Sequence, residues 1–356
     1  VVKPGDRLSL NDGYIQLEVI AVRASEVVCA VQVGGELRSR KGLNLPGIEL
    51  GISAFTARDR ECLEFALTNG VDAVSQSFVE RAADIEMVRQ AANDLGHQPF
   101  IIAKIERSGA LDRFDEILEA ADGIMIARGD LGVEVPIERI ALIQKDIMRR
   151  ANQRAKPVIT ATQMLESMTA HRLPTRAEAT DVSNAILDGS DCVMLSGESA
   201  MGLFPVESVA MLAKIAAAVE PARRRVPVRE MFAKEDLRAR IQPEHLTALG
   251  VEAGLEFSSA AVVVTPTMSG TSARRMAALH LPVWTVAVSP NEETCQHLQF
   301  SYGILPMYEP DYPESWTGYV KEFVARENLA GQVAFLTEGP SSLRPAANHR
   351  MEVIAL

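Results

Sequence analysis

The chain has 356 residues, of which 47% are apolar, 23% charged and 5% aromatic, a composition that excludes intrinsic disorder and collagen-like repeats. A net charge of −11 without any Lys/Arg block argues against nucleic acid as a partner, so any phosphate site has to be a local basic patch. The length accommodates an α/β barrel of roughly 250 residues together with a further module.

Residues 1–45 alternate apolar and polar positions and are broken at Asn11-Asp12-Gly13 and Gly34-Gly35, the pattern of a small antiparallel β element. From residue 48 the texture changes. Short apolar runs at 71–79, 100–105, 123–127, 158–161 and 192–195 alternate with helical periodicity at 84–95, 111–121, 137–154, 175–187 and 206–219. Strand followed by helix, repeated in this way, is the grammar of a parallel sheet. After Pro221 the Arg223-Arg224-Arg225 run reads as a solvated hinge, and 229–240 as a polar linker with a short helix. A second α/β module follows, with helices expected at 245–256, from the Ser/Gly loop to 279, at 292–300 and at 316–327, and strands at 260–264, 283–288, 332–336 and 351–355. Three parts result: 1–45, 46–222 and 223–356.

No window reaches the roughly 18 unbroken apolar residues of a membrane-spanning helix; the nearest, 210–219, is interrupted by Lys214. No signal segment opens the chain, whose first residue is Val1. Cys29, Cys62, Cys192 and Cys295 lie far apart with no CxxC pair, which argues against a zinc centre or a disulfide framework and fits a reducing cytoplasm.

Polar residues in the strand–helix region cluster just after the apolar runs: Lys104 and Glu106, Arg128 to Asp130, Thr162 and Gln163, and Ser196 to Glu198. Those are the carboxyl ends of the strands, where parallel α/β folds place their sites. Glu106 and Asp130, delivered by successive strands, suit a sparse Mg²⁺ site completed by water and phosphate oxygens. Lys104 and Glu106 share a strand face, which sets an ammonium beside that cation over an anionic ligand. A structural Lys/Glu pair is the plain alternative. Gly129-Asp130-Leu131-Gly132 offers backbone N–H groups to a phosphate or carboxylate. Thr160 and Thr162 bring hydroxyls to the same mouth, although threonine is equally a common strand residue.

Seven motifs, KGLNLPG at 41–47, IAKIE at 102–106, FDEIL at 114–118, DGIMIARGDLG at 122–132, ITATQML at 159–165, PTRAE at 174–178 and MLSGESA at 194–200, occur in the order and kind of the pyruvate kinase family, which the chain resembles along essentially its whole length. The resemblance implies a partial (β/α)8 TIM barrel with strands four to eight, a β-rich lid remnant and a C-terminal α/β regulatory domain. It also implies a glycolytic phosphotransferase that moves a phosphoryl group from phosphoenolpyruvate to ADP, giving pyruvate and ATP. On this pattern Glu106 and Asp130 look like ligands of Mg²⁺ or Mn²⁺, and Lys104 like the cation beside the transferring phosphoryl group. The amides of Arg128, Gly129 and Asp130, with Thr162, look like the pocket for the substrate carboxylate. Thr162, through Ser196 and water, would protonate the enolate; Lys41 and, more weakly, Asp12 would meet the nucleotide. Thr267, Ser269, Gly270, Thr271 and Ser272 resemble the family's allosteric sugar-phosphate loop, with a plain helix cap as the alternative.

The family's first three strands, the start of its lid, the arginine that grips the substrate phosphate and the K⁺ ligands would precede residue 1, so the expectation is a C-terminal part of a longer, tetrameric, cytoplasmic polypeptide. Met201 stands where the family usually has lysine, and residues 338–345 are poorer in glycine than in effector-binding members. Two rival readings remain: a non-catalytic relative that binds phosphometabolites or a protein partner through its C-terminal domain, and another Mg²⁺–enolate barrel enzyme acting on oxaloacetate-like substrates.

Overall fold

The computed structural model describes residues 2–356 except 12, 38, 40, 41, 49, 50, 52, 231–242 and 342–344. Asn11 and Gly13, both at positive φ, turn the chain between β1 (Arg7–Leu10) and β2 (Ile15–Val22). With β3 (Val27–Val33) and β4 (Leu43–Asn44) they form an antiparallel sheet in the order β3-β2-β1-β4. Leu8, Ile15 and Val19 are buried while Ile20 and Val31 face outward, the period-two pattern of a sheet with one covered face.

The second sheet holds, among the described residues, five strands in the order β5 (Ala73–Gln76), β6 (Phe100–Ile105), β7 (Gly123–Ala127), β8 (Val158–Ala161) and β9 (Cys192–Val193). The β5–β6 and β6–β7 pairs are parallel, as the strand–helix alternation predicts. Ile101, Ile105, Ile124 and Ile126 are fully buried, so these strands are apolar on both faces except where they end.

Helix α1 (Ala57–Thr68) has no counterpart in the sequence expectation. Only Leu63 and Leu67 are buried along it while Phe65 points outward, so its apolar stripe is too thin to register as periodicity. A capping box between Thr56 and Asp59 starts it, and that local signal is present in the sequence. Next come α2 (Ala82–Asp94), whose start Asp84 fixes by accepting from the N–H groups of Glu80 and Arg81, α3 (Ser108–Asp112), α4 (Phe114–Ala120), α5 (Arg128–Glu134), α6 (Ile140–Gln153), α7 (Arg176–Asp188), α8 (Gly197–Ala200) and α9 (Pro205–Val219).

Contacts divide the chain into two compact units. The first comprises residues up to Ile147, Ile159–Val182 and Val193–Leu212; the second comprises Met148–Val158, Ser183–Cys192 and Ala213–Leu356. In the second unit α10 (Pro243–Phe257), β10 (Ala260–Pro266), α11 (Thr271–Ala277), β11 (Thr285–Ser289), α12 (Glu292–Leu298), β12 (Ile304–Tyr308), α13 (Trp316–Arg326), β13 (Val333–Glu338) and β14 (Arg350–Ala355) build a sheet in the order β12-β11-β10-β13-β14. The pairs are parallel except β13–β14. Val262 and Val264 pack with Trp316, Val320 and Phe323 on one face, and Val263 with Val251, Met276 and Leu279 on the other. Helices therefore cover both faces. Strand β12 is absent from the sequence expectation because Pro306 interrupts it; as an edge strand it tolerates the lost N–H.

The solvated-hinge reading fails at Arg223. Its residue is 9% exposed, its guanidinium lies 3.8 Å from the Tyr302 ring centroid, and Nη2 donates to His280 Nε2 at 3.1 Å. An aromatic face and a neutral imidazole, supplied from 57 residues or more along the chain, offset part of its desolvation. Arg224 does stay exposed, paired with Glu230 at 2.7 Å.

Candidate active site

At the end of β6, Lys104 and Glu106 emerge on the same face, and Lys104 Nζ lies 2.6 Å from Glu106 Oε1. Glu106 is 2% exposed and Lys104 24%, so the carboxylate is buried and the ammonium reaches the rim. The same ammonium donates to Ser77 Oγ at 2.8 Å, and Glu106 Oε2 accepts from Phe78 N at 2.7 Å. Phe78 holds φ +56, an uncommon conformation for an aromatic residue, just past the end of β5. Ser77 and Phe78 are absent from the sequence expectation because the apolar run 71–79 passes through them; the Ser75-Gln76-Ser77 sequence is the signal that the strand ends there.

One strand further, β7 runs directly into α5, placing Arg128, Gly129 and Asp130 in that helix's first turn. Gly129 N donates to Thr162 Oγ1 at 2.8 Å, and that hydroxyl donates to Ala161 O at 2.7 Å. The Arg128 side chain is tied to later segments: Nη2 donates to Thr162 O at 2.7 Å, and Nη1 lies 2.7 Å from Asp181 Oδ2. Thr162 and Gln163 have φ +68 and +55. A left-handed threonine costs about 1–2 kcal/mol, and the contacts of Arg128 and Gly129 are what fix the bend. The carboxyl end of β8 is thus held in a strained turn that displays the Thr162 hydroxyl.

Ser196 precedes α8, and its N–H donates to Glu198 Oε2 at 2.7 Å. Glu198 is fully buried, and its Oε1 accepts from Leu165 N at 3.0 Å. One carboxylate therefore ties the Ser196 turn to the Thr162–Leu165 loop. Glu198 and Asp181, like Ser77, act on the expected residues without appearing in the sequence motifs as more than neighbours.

A cavity of about 950 Å³ in the first unit borders Glu106, Ser77 and Arg107 and extends to Asn44, Thr56 and Met87. Lys104, Asp130 and Thr162 do not line it. Glu106, Asp130 and the nearby hydroxyls present hard oxygen donors, a set that fits Mg²⁺ or Mn²⁺ rather than a soft metal. Among the described residues no group of three or more His, Cys, Asp or Glu side chains is arranged to hold a metal. Lys41 and Asp12, the expected nucleotide contacts, lie outside the described residues.

In the second unit Thr267 Oγ1 accepts from Gly270 N at 3.0 Å, Ser269 Oγ and Thr271 Oγ1 are 3.0 Å apart, and Arg274 donates to Ser269 O at 2.8 Å. Gly270 has φ +78, a left-handed conformation in which an L side chain is strained, so this turn favours glycine. Ser272 follows in α11.

A parallel strand–helix sheet with its polar constellation at the strand ends, followed by a module with its own helix-covered sheet, defines a barrel-type α/β protein with a separate C-terminal α/β domain. Residues 1–209 match the family described as pyruvate kinase, barrel domain, and residues 246–339 match pyruvate kinase, alpha/beta domain. The chain belongs to the pyruvate kinase family. It is similar to the pyruvate kinase of Thermococcus litoralis, 48% identical over 307 residues that cover 86% of this chain and 65% of that protein. Human pyruvate kinase PKLR is 43% identical over 320 residues, covering 88% and 55%. The Clostridium acetobutylicum pyruvate kinase is 38% identical over 307 residues, covering 86% and 64%. The chain therefore spans less than two thirds of the length of these curated relatives. Among the described residues no helix is long and apolar enough to cross a membrane.

Proposed function

We propose that this chain carries the phosphoryl-transfer half-site of a cytoplasmic, tetrameric glycolytic pyruvate kinase, acting between phosphoenolpyruvate and ADP, with residues 1–45 as lid, 46–222 as catalytic barrel and 223–356 as regulatory domain. The observation that carries the reading is the Lys104–Glu106 pair at 2.6 Å, with a buried carboxylate and a rim-facing ammonium. Phosphoryl transfer asks for positioning and charge neutralisation rather than a covalent intermediate, and this pair supplies a cation whose place is fixed. Glu106 and Asp130 would hold Mg²⁺ or Mn²⁺, which when bound neutralises charge on phosphate and carboxylate oxygens. Lys104 Nζ, steadied by Ser77, faces the phosphoryl group as its negative charge redistributes. The first-turn amides of Arg128, Gly129 and Asp130 orient the substrate carboxylate, and the Thr162 hydroxyl moves from Gly129 N to that carboxylate when it arrives. Thr162 then delivers a proton to the enolate carbon, with Ser196 and water resupplying it. Lys41 and Asp12 are proposed for the nucleotide phosphates, K⁺ as a second cation, and the 267–272 loop for a sugar-phosphate effector.

The test is Mg²⁺-dependent pyruvate release from phosphoenolpyruvate and ADP, measured for this chain alone and supplemented with the remaining part of a curated relative. Release in either arm that falls roughly a hundredfold or more in Lys104→Met supports the reading. No release in both arms overturns it.

A further inference from the structure

Two consecutive non-glycine residues with left-handed backbone, Thr162 at φ +68 and Gln163 at φ +55, follow β8, and the first of them is β-branched. Neither residue favours that conformation, so contacts from outside the segment have to hold the bend. The Arg128 guanidinium supplies them from all three nitrogens. Nε donates to Ala161 O at 3.4 Å, and Nη2 donates to Thr162 O at 2.7 Å and to Met164 Sδ at 3.0 Å. Nη1 donates to Asp181 Oδ1 at 2.8 Å and to Gln144 Oε1 at 3.5 Å. Asp181, on α7, is the one carboxylate paired with this guanidinium among the described residues, 53 positions along the chain from it. The Arg128 side chain is 11% exposed and that of Asp181 37%. A guanidinium so far withdrawn from water keeps its place only while its charge is answered, and its planar fork passes that placement on to whatever its other nitrogens hold.

We propose that Asp181 is a positioning residue: by fixing the Arg128 fork it holds the 161–164 turn in its left-handed bend, and so keeps the Thr162 hydroxyl where it accepts from Gly129 N at 2.8 Å. Magnitudes separate this role from a plain contribution to stability. An ion pair with one partner more than a third exposed is screened by water and stabilises the fold little. A hydroxyl displaced by about 1 Å from its reacting partner, by contrast, costs on the order of a hundredfold in rate. Asp181 therefore matters more to the site than to the fold. For the reaction, proton delivery from Thr162 then depends on a carboxylate outside the expected set of substrate and metal contacts. That consequence rests on the phosphoryl-transfer reading, whereas the hold on the turn does not.

Amide hydrogen exchange of the full chain, followed by NMR, reads the hold directly. Gly129 N lies in the first turn of α5, where no intrahelical acceptor is available, so its protection reports the bond to Thr162 Oγ1. In Asp181→Asn, which keeps the shape and loses the charge, exchange at Gly129 is expected to speed up roughly tenfold, while the amides of α7 and β6 keep their wild-type rates and the urea midpoint stays close to wild type. Asp181→Glu, which keeps the charge with solvent beside it, is expected to bring Gly129 back to within roughly threefold of wild type. If Asp181→Asn does not fold, Arg128→Lys, which keeps a cation and loses the fork, is expected to give the same local acceleration. In the pyruvate-release assay Asp181→Asn is expected to lower kcat by roughly tenfold or more and to raise the solvent deuterium isotope effect on kcat, because proton delivery becomes the slow step. A lowered folded fraction would reduce kcat and leave that isotope effect as it was. Gly129 exchange indifferent to these substitutions, exchange raised equally along α7 with a fallen urea midpoint, or local loosening with an unchanged isotope effect overturns the proposal. Absence of release in both arms overturns the phosphoryl-transfer reading alone, and exchange at Gly129 still decides whether Asp181 holds the turn.

Discussion

At the scale of single residues, Lys104 and Glu106 each answer for the other's burial. Removing the ammonium in Lys104→Met leaves a carboxylate that is 2% exposed without its cation. Breaking a buried pair costs roughly 3–5 kcal/mol, and since Lys104 is partly exposed about 2 kcal/mol is expected, read as a lowered urea midpoint. Adding Glu106→Gln to Lys104→Met should recover much of that loss, because no buried charge then remains. Thr162 carries two opposed effects, a strained φ of +68 and a hydroxyl that takes Gly129 N at 2.8 Å. Thr162→Ala is expected to lower stability by about 1 kcal/mol through the lost hydrogen bonds. Thr162→Ser, which keeps the hydroxyl, should melt close to the wild type.

At the scale of elements, titration reads out how loops are tied down. Burial pushes the Glu178 carboxyl up, but hydrogen bonds from Ser167 and Thr175 outweigh it, and its pKa lies below the ordinary 4.5. Its stabilisation is therefore fully present above that value and is lost as pH falls through the depressed one. Glu178→Gln should accordingly lower the urea midpoint at neutral pH, with the difference from wild type shrinking at acid pH. Around Arg223 two groups act in opposite senses. Burial lifts Asp191 from 3.8 to about 6 against the hydrogen bonds of Tyr302 and Val158, so its contribution is present below 3.8 and is lost as pH rises through about 6. Burial, helped by Arg223, drops His280 from 6.5 to about 3, so its contribution is present above 6.5 and is lost as pH falls toward about 3. The two slopes offset one another between 3.8 and about 6, and their joint contribution there should be nearly flat. His280→Gln leaves the Asp191 slope alone, so its urea midpoint should fall as pH rises from about 4 to about 6.

How much of this was legible in the sequence follows from the range of each interaction. Strands β6, β7 and β8 were readable because apolar runs end abruptly at polar residues, and the Lys104–Glu106 face follows from the two-residue period of a strand. Helix α1 and strand β12 were not, since one has a thin apolar stripe and the other an edge proline. The partners of Thr162, namely Gly129 and the Arg128 side chain, come from 33 and 34 residues away and the burial of Arg223 from 57 or more, and no local pattern encodes them.

At the scale of the whole molecule, β5 and β9 are the outer strands of the five-stranded sheet among the described residues, and the polar constellation stands at the carboxyl ends of the strands between and beside them. Whether Glu106 and Asp130 join a divalent cation to the substrate of Lys104 and Thr162 is read by titrating the chain with Mn²⁺ followed by electron paramagnetic resonance, with and without phosphoenolpyruvate. Phosphoenolpyruvate is expected to tighten Mn²⁺ binding by roughly tenfold or more, and Glu106→Gln and Asp130→Asn are each expected to remove both the binding and the coupling. Mn²⁺ binding indifferent to phosphoenolpyruvate and to both substitutions would contradict it.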